Sequence, residues 1–231
     1  MVQNNSEMKS QRTALVLGST GLVGSELIRG VLASGLYDRV ITYGRRKPAI
    51  AHSKLQSILG NLEEFAQKTD ALSFDDVYCC LGSTIKKAGS EDAFRHVDFD
   101  WPVQIASLLC EKGLRHFVII SALGANADSA LFYPRIKGET EDALKRLPIP
   151  YLTILRPSLL VGDRKETRFM EGVSAKLMGI VKPVLIGRLT NLLPVSAEKV
   201  AEAMVQAGRE CASESRNAQL LVLDSATIQR Y

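Results

Sequence analysis

A chain of 231 residues, 46% hydrophobic and 23% charged, is long enough to bury a sizeable core, and its composition excludes a disordered, fibrous or disulfide-stapled architecture. A net charge of +4, with "GRRK" and "IKK" as the only dense basic clusters, excludes nucleic acid as the expected partner. The polar opening "MVQNNSEMKSQR" has no apolar core of a signal peptide, no apolar run approaches the roughly 18 residues that span a bilayer, and the cysteines Cys79, Cys80, Cys110 and Cys211 have no metal-ligand spacing. The expectation is therefore a cytoplasmic protein with reduced thiols, no membrane span and no metal.

In chain order, residues 1–12 read as a disordered tail. "TALVLG" is a buried parallel strand, and "GLVGSELIRGVLASG" is a helix with its apolar face on Leu22, Val23, Leu27, Ile28, Val31 and Leu32. "RVITYGR", "LQSILGN" and "DDVYCCLG" read as strands two to four, followed by a helix from about Phe99 to Glu111. "HFVIISALGA" is the fifth strand, Pro134 to Arg146 a helix, and "YLTILRPS" the sixth strand. After Pro157 the pattern loosens until "SAEKVAEAMVQAGREC", an amphipathic helix capped by Ser196, and "QLLVLD", an edge strand. Alternating strands and helices predict an α/β chain: a Rossmann-type, doubly wound parallel sheet with right-handed crossovers. Residues 13–156 form the dinucleotide-binding domain, and 157–231 a small C-terminal lobe on the substrate side that shares its core.

The turn "VLGSTGLVG" places Gly18, Gly21 and Gly24 between a strand and a helix. In that context glycines allow a tight turn, a close backbone approach to a pyrophosphate and close helix packing, with the helix N-terminus facing the phosphates. Gly18, Ser19, Thr20, Gly21, Leu22, Val23 and Gly24 are therefore expected to bind cofactor. An NAD site carries an acid about 20 residues further on. This chain instead has "TYGRRKP" there, so Arg45 and Arg46 predict a 2′-phosphate and hence NADP(H). Leu81, Gly82 and Ser83 in "CCLGST" lie at the same sheet edge, either beside the cofactor or as an ordinary strand exit.

Ser121 ends strand five at that edge, and Tyr133 and Lys137 follow, one helical turn apart on one face. Together they suit carbonyl reduction. A serine hydroxyl bonds the carbonyl oxygen, a phenol delivers a proton as hydride arrives, and an ammonium assists the phenol and holds ribose hydroxyls.

With "GSTGLVG", Ser121, Tyr133, Lys137 and "LRPS" in order, the chain resembles the short-chain dehydrogenase/reductase superfamily in its extended-to-atypical branch. It is most similar to the Tat-interacting-protein oxidoreductase family, which shares "GRRK", "CCLGST"-like, "VDFD"-like, Y-x-x-x-K-G-E and "RPSLLVGDRKETR"-like segments. The resemblance runs from about Thr13 to Arg168. It implies a monomer or weak homodimer that binds NADPH. One departure is Asn61, next to Leu62 in "LGNLEE", where members commonly carry an acid that touches adenine; the amide can still bond adenine there. Another is Asp98, where many members carry the asparagine of a proton relay. Asp98 then serves either near that relay or as a helix N-cap.

The readings that follow are an NADPH-dependent oxidoreductase acting on a small-molecule carbonyl or doing related epimerase chemistry, a non-catalytic NADPH sensor with a protein partner, and a scaffold with a vestigial site. Arg164, Glu166 and Arg168 in "DRKETRFMEG" form either an anion grip or a surface ion-pair cluster. Arg156 is expected to anchor structure through hydrogen bonds. His52, His96 and His116 are scattered and imply no histidine chemistry. "PVQIASLLC" either covers the sheet or forms a dimer face.

Overall fold

A computed structural model describes residues 12–161, 193–213 and 219–231. In chain order the elements are β1 (Thr13–Leu17), α1 (Leu22–Ala33), β2 (Arg39–Gly44), β3 (Leu55–Leu59), α2 (Phe65–Lys68), β4 (Asp76–Cys79), α3 (Ile85–Ala88) and α4 (Glu91–Arg95). A π-turn (His96–Asp100), α5 (Trp101–Cys110), β5 (His116–Ile120), α6 (Phe132–Lys145), β6 (Tyr151–Arg156) and β7 (Leu160–Val161) come next. β8 (Val195–Ser196), α7 (Ala197–Ala212), β9 (Leu220–Asp224) and α8 (Ser225–Ile228) complete them.

The seven-stranded sheet has the order β3-β2-β1-β4-β5-β6-β9, and every pairing in it is parallel. This is the doubly wound α/β arrangement, and its strand order reverses between β1 and β4, where such sheets open a ligand crevice. β7 and β8 form a separate parallel pair.

Strand alternation divides the core in two. Ala14 and Val16 of β1 join Val23, Leu27, Ile28 and Val31 of α1 and Val200 and Met204 of α7 on one face. Leu15 and Leu17 join Ile105, Ala106 and Leu109 of α5 and Leu144 of α6 on the other. Each such buried Val, Leu, Ile or Met side chain stabilises the fold by about 1.5–3 kcal/mol, so a continuous apolar run such as "ALVL" is worth more between two helical layers than on an exposed face. The segment "PVQIASLLC" therefore covers the sheet through its buried residues. Ser196 caps α7, its hydroxyl accepting from the Lys199 N–H at 3.2 Å.

Two helices depart from the expected bounds. α6 begins at Phe132, so Tyr133 lies within its first turn and Pro134 follows it. The helix expected from Phe99 begins at Glu91 and runs on through the π-turn. Pro102 is the physical reason for that turn. An α-helix would need its N–H for the Asp98 carbonyl, but proline has none and its ring crowds that oxygen. The backbone widens there, and the hydroxyl of Thr140 donates to the Asp98 carbonyl at 2.9 Å.

Candidate active site

Gly18 has φ 73°, and a Cβ on it would stand 2.4 Å from the Cys80 carbonyl oxygen, so only glycine lets β1 turn beside the exit of β4. A Cβ on Gly24 would meet the Gly18 carbonyl oxygen at 2.2 Å. The third glycine thus seats α1 against the turn itself, a closer neighbour than the sheet. Gly21 is the N-cap of α1; no side chain caps this helix and no acid lies in its first turn. Its N–H groups and positive dipole end are open to an anion, which is the cradle a pyrophosphate needs. Val23 is buried and Leu22 half-buried in the α1 core, so these two offer the ligand only backbone.

A cleft of about 250 Å³ adjoins the turn, lined by Ser19, Thr20, Ser25, Arg29, Arg46 and Lys47 together with Pro48, Ala49 and Ile50. Arg46 reaches across to Thr20 Oγ1 at 3.4 Å. Arg45 is exposed and does not line the cleft. Of the expected arginine pair, Arg46 faces the turn, joined by Arg29 and Lys47, which sequence reasoning left out. Arg29 belongs to a helix whose apolar face drew the attention, and it also pairs with Glu26 at 2.6 Å.

Asn61 is occupied in a local turn: its Oδ1 accepts from the Glu64 N–H at 3.0 Å, and its own N–H donates to Glu64 at 3.0 Å. Leu62 and Leu81 pack partly buried against the core beneath the sheet edge. Ser83 gives its N–H to Asp98 Oδ2 at 2.8 Å.

Around Tyr133 the three expected side chains have different partners. Tyr133 is 39% exposed, its ring packs on Phe94 with centroids 5.6 Å apart, and its hydroxyl has no hydrogen-bond partner among the described residues. Lys137, one turn along, is buried and pairs with Asp98 Oδ1 at 2.7 Å, with the Ile120 carbonyl at 3.5 Å. Burial pulls the Lys137 ammonium toward neutrality, but the Asp98 charge, aided by Tyr133, outweighs it and raises its pKa. Asp98 is therefore not a helix N-cap. It is a buried residue within the π-turn that joins the β4 exit to α6. Ser121 is turned elsewhere: it donates to Glu141 Oε1 at 2.5 Å, and Glu141 is gripped by Arg156 through Nε at 2.9 Å and Nη2 at 2.5 Å. Arg156 thus does anchor structure, through a buried acid that the sequence reading passed over. Glu141 lies one turn beyond Lys137, and that spacing was the available signal.

At the opposite edge of the sheet, His116 is fully buried near Asp76 at 3.5 Å and bonds Thr153 at 2.8 Å, so it is part of a built polar cluster and not a scattered histidine. Asp76, His116 and Cys211 have ligand-type atoms within 4.8 Å of one another. Asp76 is held through Oδ2 by Arg12 at 2.6 Å and by the Tyr37 hydroxyl at 2.5 Å, so a guanidinium already matches its charge. Arg12, placed in the tail by sequence, is the first described residue. None of the four cysteines, all among the described residues, forms a disulfide. Arg164, Glu166 and Arg168 lie outside the described residues. No helix among the described residues is long and apolar enough to cross a membrane.

The family model for NAD(P)H-binding proteins matches residues 18–210. The chain is 33% identical over 172 residues to Protein HTATIP2 of Rattus norvegicus, covering 73% of this chain and 71% of that one. It is 31% identical over 202 residues to Protein FMP52-1, mitochondrial, of Scheffersomyces stipitis, covering 86% and 88%. Among solved structures, MoeE5 in complex with UDP-glucose and NAD superposes with TM-score 0.66 at 19% identity, over 91% of this chain and 75% of that one. A short chain dehydrogenase family protein from Francisella tularensis subsp. tularensis SCHU S4 gives 0.67 at 13% identity, over 94% and 99%; these likenesses establish the fold. The glycine turn, the parallel sheet and the sequence matches converge: the chain belongs to the NAD(P)H-binding family and, within it, to the atypical short-chain dehydrogenase/reductases that include HTATIP2 and FMP52.

Proposed function

We propose that this chain is an NADPH-dependent oxidoreductase that reduces the carbonyl of a small molecule, or carries out related epimerase chemistry. The observation that carries the reading is the pairing of an exposed Tyr133 with a buried, charged Lys137 at the same sheet edge as the open glycine turn. The cofactor, when bound, supplies or accepts hydride. Tyr133 delivers the proton to the carbonyl oxygen, and its free hydroxyl suits that role. Lys137 holds positive charge behind the phenol, and Ser121 orients the oxygen once its hydroxyl swings from Glu141. Arg29, Arg46 and Lys47 around the cleft favour a 2′-phosphate, hence NADPH over NADH.

One observation favours a second reading, a non-catalytic NADPH sensor that acts on a protein partner: Ser121 has already given its hydrogen to Glu141. Fluorescence titration with NADPH and then NADH, followed by an aldehyde, ketone and quinone screen of wild type and Tyr133→Phe, separates the two. The oxidoreductase reading expects tighter NADPH binding and a loss of about 10²–10⁴ in turnover in the variant. Equal affinity for the two nucleotides would refute the NADPH preference. Cofactor binding without turnover in wild type would favour the sensor. For the compartment, the reduced cysteines support the cytoplasm, whereas FMP52 relatives are named mitochondrial. Fractionation of the tagged protein decides between them.

A further inference from the structure

We propose that Asp98 is a positioning residue of this site: the π-turn delivers its carboxylate so that one oxygen grips the Lys137 ammonium and the other the Ser83 N–H, which fixes where the remaining donor of the lysine points. The claim rests on the oxidoreductase reading only for its consequence in turnover.

An ammonium has three N–H donors. In Lys137 one faces Asp98 Oδ1 at 2.7 Å and one faces the Ile120 carbonyl at 3.5 Å. The third has no partner among the described residues. Gly82 lies directly over the pair, since a Cβ there would stand 3.6 Å from Asp98 Oδ1 and 4.0 Å from Lys137 Nζ. The ion pair therefore floors the β4 exit loop and ties it to α6, the two segments that flank the crevice. Thr140 fixes the same turn from behind by donating to the Asp98 carbonyl.

The pair also decides the charge. A lysine this buried loses its proton readily unless an anion stands beside it. The groups facing Lys137 are few. From β4 comes Cys79, whose thiol burial pushes up to about 12, so it brings no charge at neutral pH. From α6 comes Tyr133, and from β5 only the Ile120 carbonyl. Glu141 and Arg156 behind Ser121 offset each other in their own pair. Asp98 is the one close anion among the described residues. Its side chain is fully buried, so it acts through the lysine.

The test uses full-length, cofactor-free protein carrying lysine labelled with ¹³C at the ε carbon, with the Lys137 signal assigned from Lys137→Arg. In wild type the Lys137 midpoint should lie above that of a free lysine, about 10.4. In Asp98→Asn, which retains an acceptor for the Ser83 N–H, the midpoint should fall by at least about one pH unit. The same midpoint in both proteins would overturn the proposal. Should Asp98→Asn not fold, the wild type decides alone: a Lys137 midpoint below that of free lysine overturns it. In turnover, Asp98→Asn should lose about tenfold in kcat, the value of roughly one such charge-assisted contact. A wild type that reduces no carbonyl would sink the oxidoreductase reading while leaving the lysine titration to judge the pair.

Discussion

Glu141 illustrates how one buried acid organises its surroundings. Its Oε1 takes hydrogen bonds from Ser121 and from Arg156 Nε, and its Oε2 takes Arg156 Nη2. Ser121 is buried, and Arg156 is part-exposed at 33% of its side chain, so the pair is dry at one end and wet at the other. An amide in place of the carboxylate keeps one oxygen but cannot receive the fork of the guanidinium. Glu141→Gln should therefore lower unfolding free energy by about 2 kcal/mol in urea titration, the range of a hydrogen bond to a charged group. NADPH affinity should stay within about twofold, because the glycine turn is built by other elements. A stability unchanged from wild type would show that the Arg156 fork is decorative.

At the scale of elements, the helical run from α4 to α5 is held open by a contact distant in sequence. Thr140 of α6 shares its hydroxyl hydrogen between the Asp98 carbonyl at 2.9 Å and the Ile136 carbonyl at 2.7 Å. Thr140→Val removes it without changing shape and leaves a buried carbonyl unsatisfied, at a cost of about 1–3 kcal/mol. Urea unfolding measures that loss, and amide exchange should quicken within 96–101 more than in α1; uniform exchange would contradict the assignment. The alternation of strands and helices was legible because runs such as "TALVL" and "YLTIL" have one meaning between two helical layers. The glycine turn and the Tyr133–Lys137 spacing were legible for the same local reason. The π-turn was not: "VDFDWP" does contain an aspartate four residues before a proline, yet whether the helix breaks or bulges depends on Thr140 arriving from another element. Nor was the choice between Arg45 and Arg46, which turns on the path of the chain after β2. Glu141 was passed over because its partner, Arg156, arrives from β6.

Across the whole molecule, the crevice edge of the sheet is matched by a polar cluster at the other edge. Burial drives the Asp76 carboxyl upward, but His116 and Arg12, with the Tyr37 hydroxyl, outweigh it and hold its pKa below the ordinary aspartate value. A carboxyl depressed in the folded state contributes stability above its unfolded pKa, and that contribution is lost as pH falls through the folded one. Wild type should thus lose stability as pH falls below about 4, the ordinary aspartate range. Asp76→Asn should be weaker at pH 7 and show a smaller drop from pH 5 to pH 3, read by urea unfolding at each pH. An equal drop in both proteins would remove Asp76 from the account.

The position of α7 and β9 carries a consequence for synthesis. The face of the sheet under α1 is closed by Val200 and Met204 of α7, and the sheet ends on β9, both far along the chain. A ribosome that has released the entire glycine turn and all six earlier strands of the sheet still holds a half-covered nucleus, with Val16 and Leu27 lacking their partner helix. Folding of this nucleotide-binding half waits on its latest residues, and a nascent chain stalled before residue 197 presents chaperones with an open apolar wall.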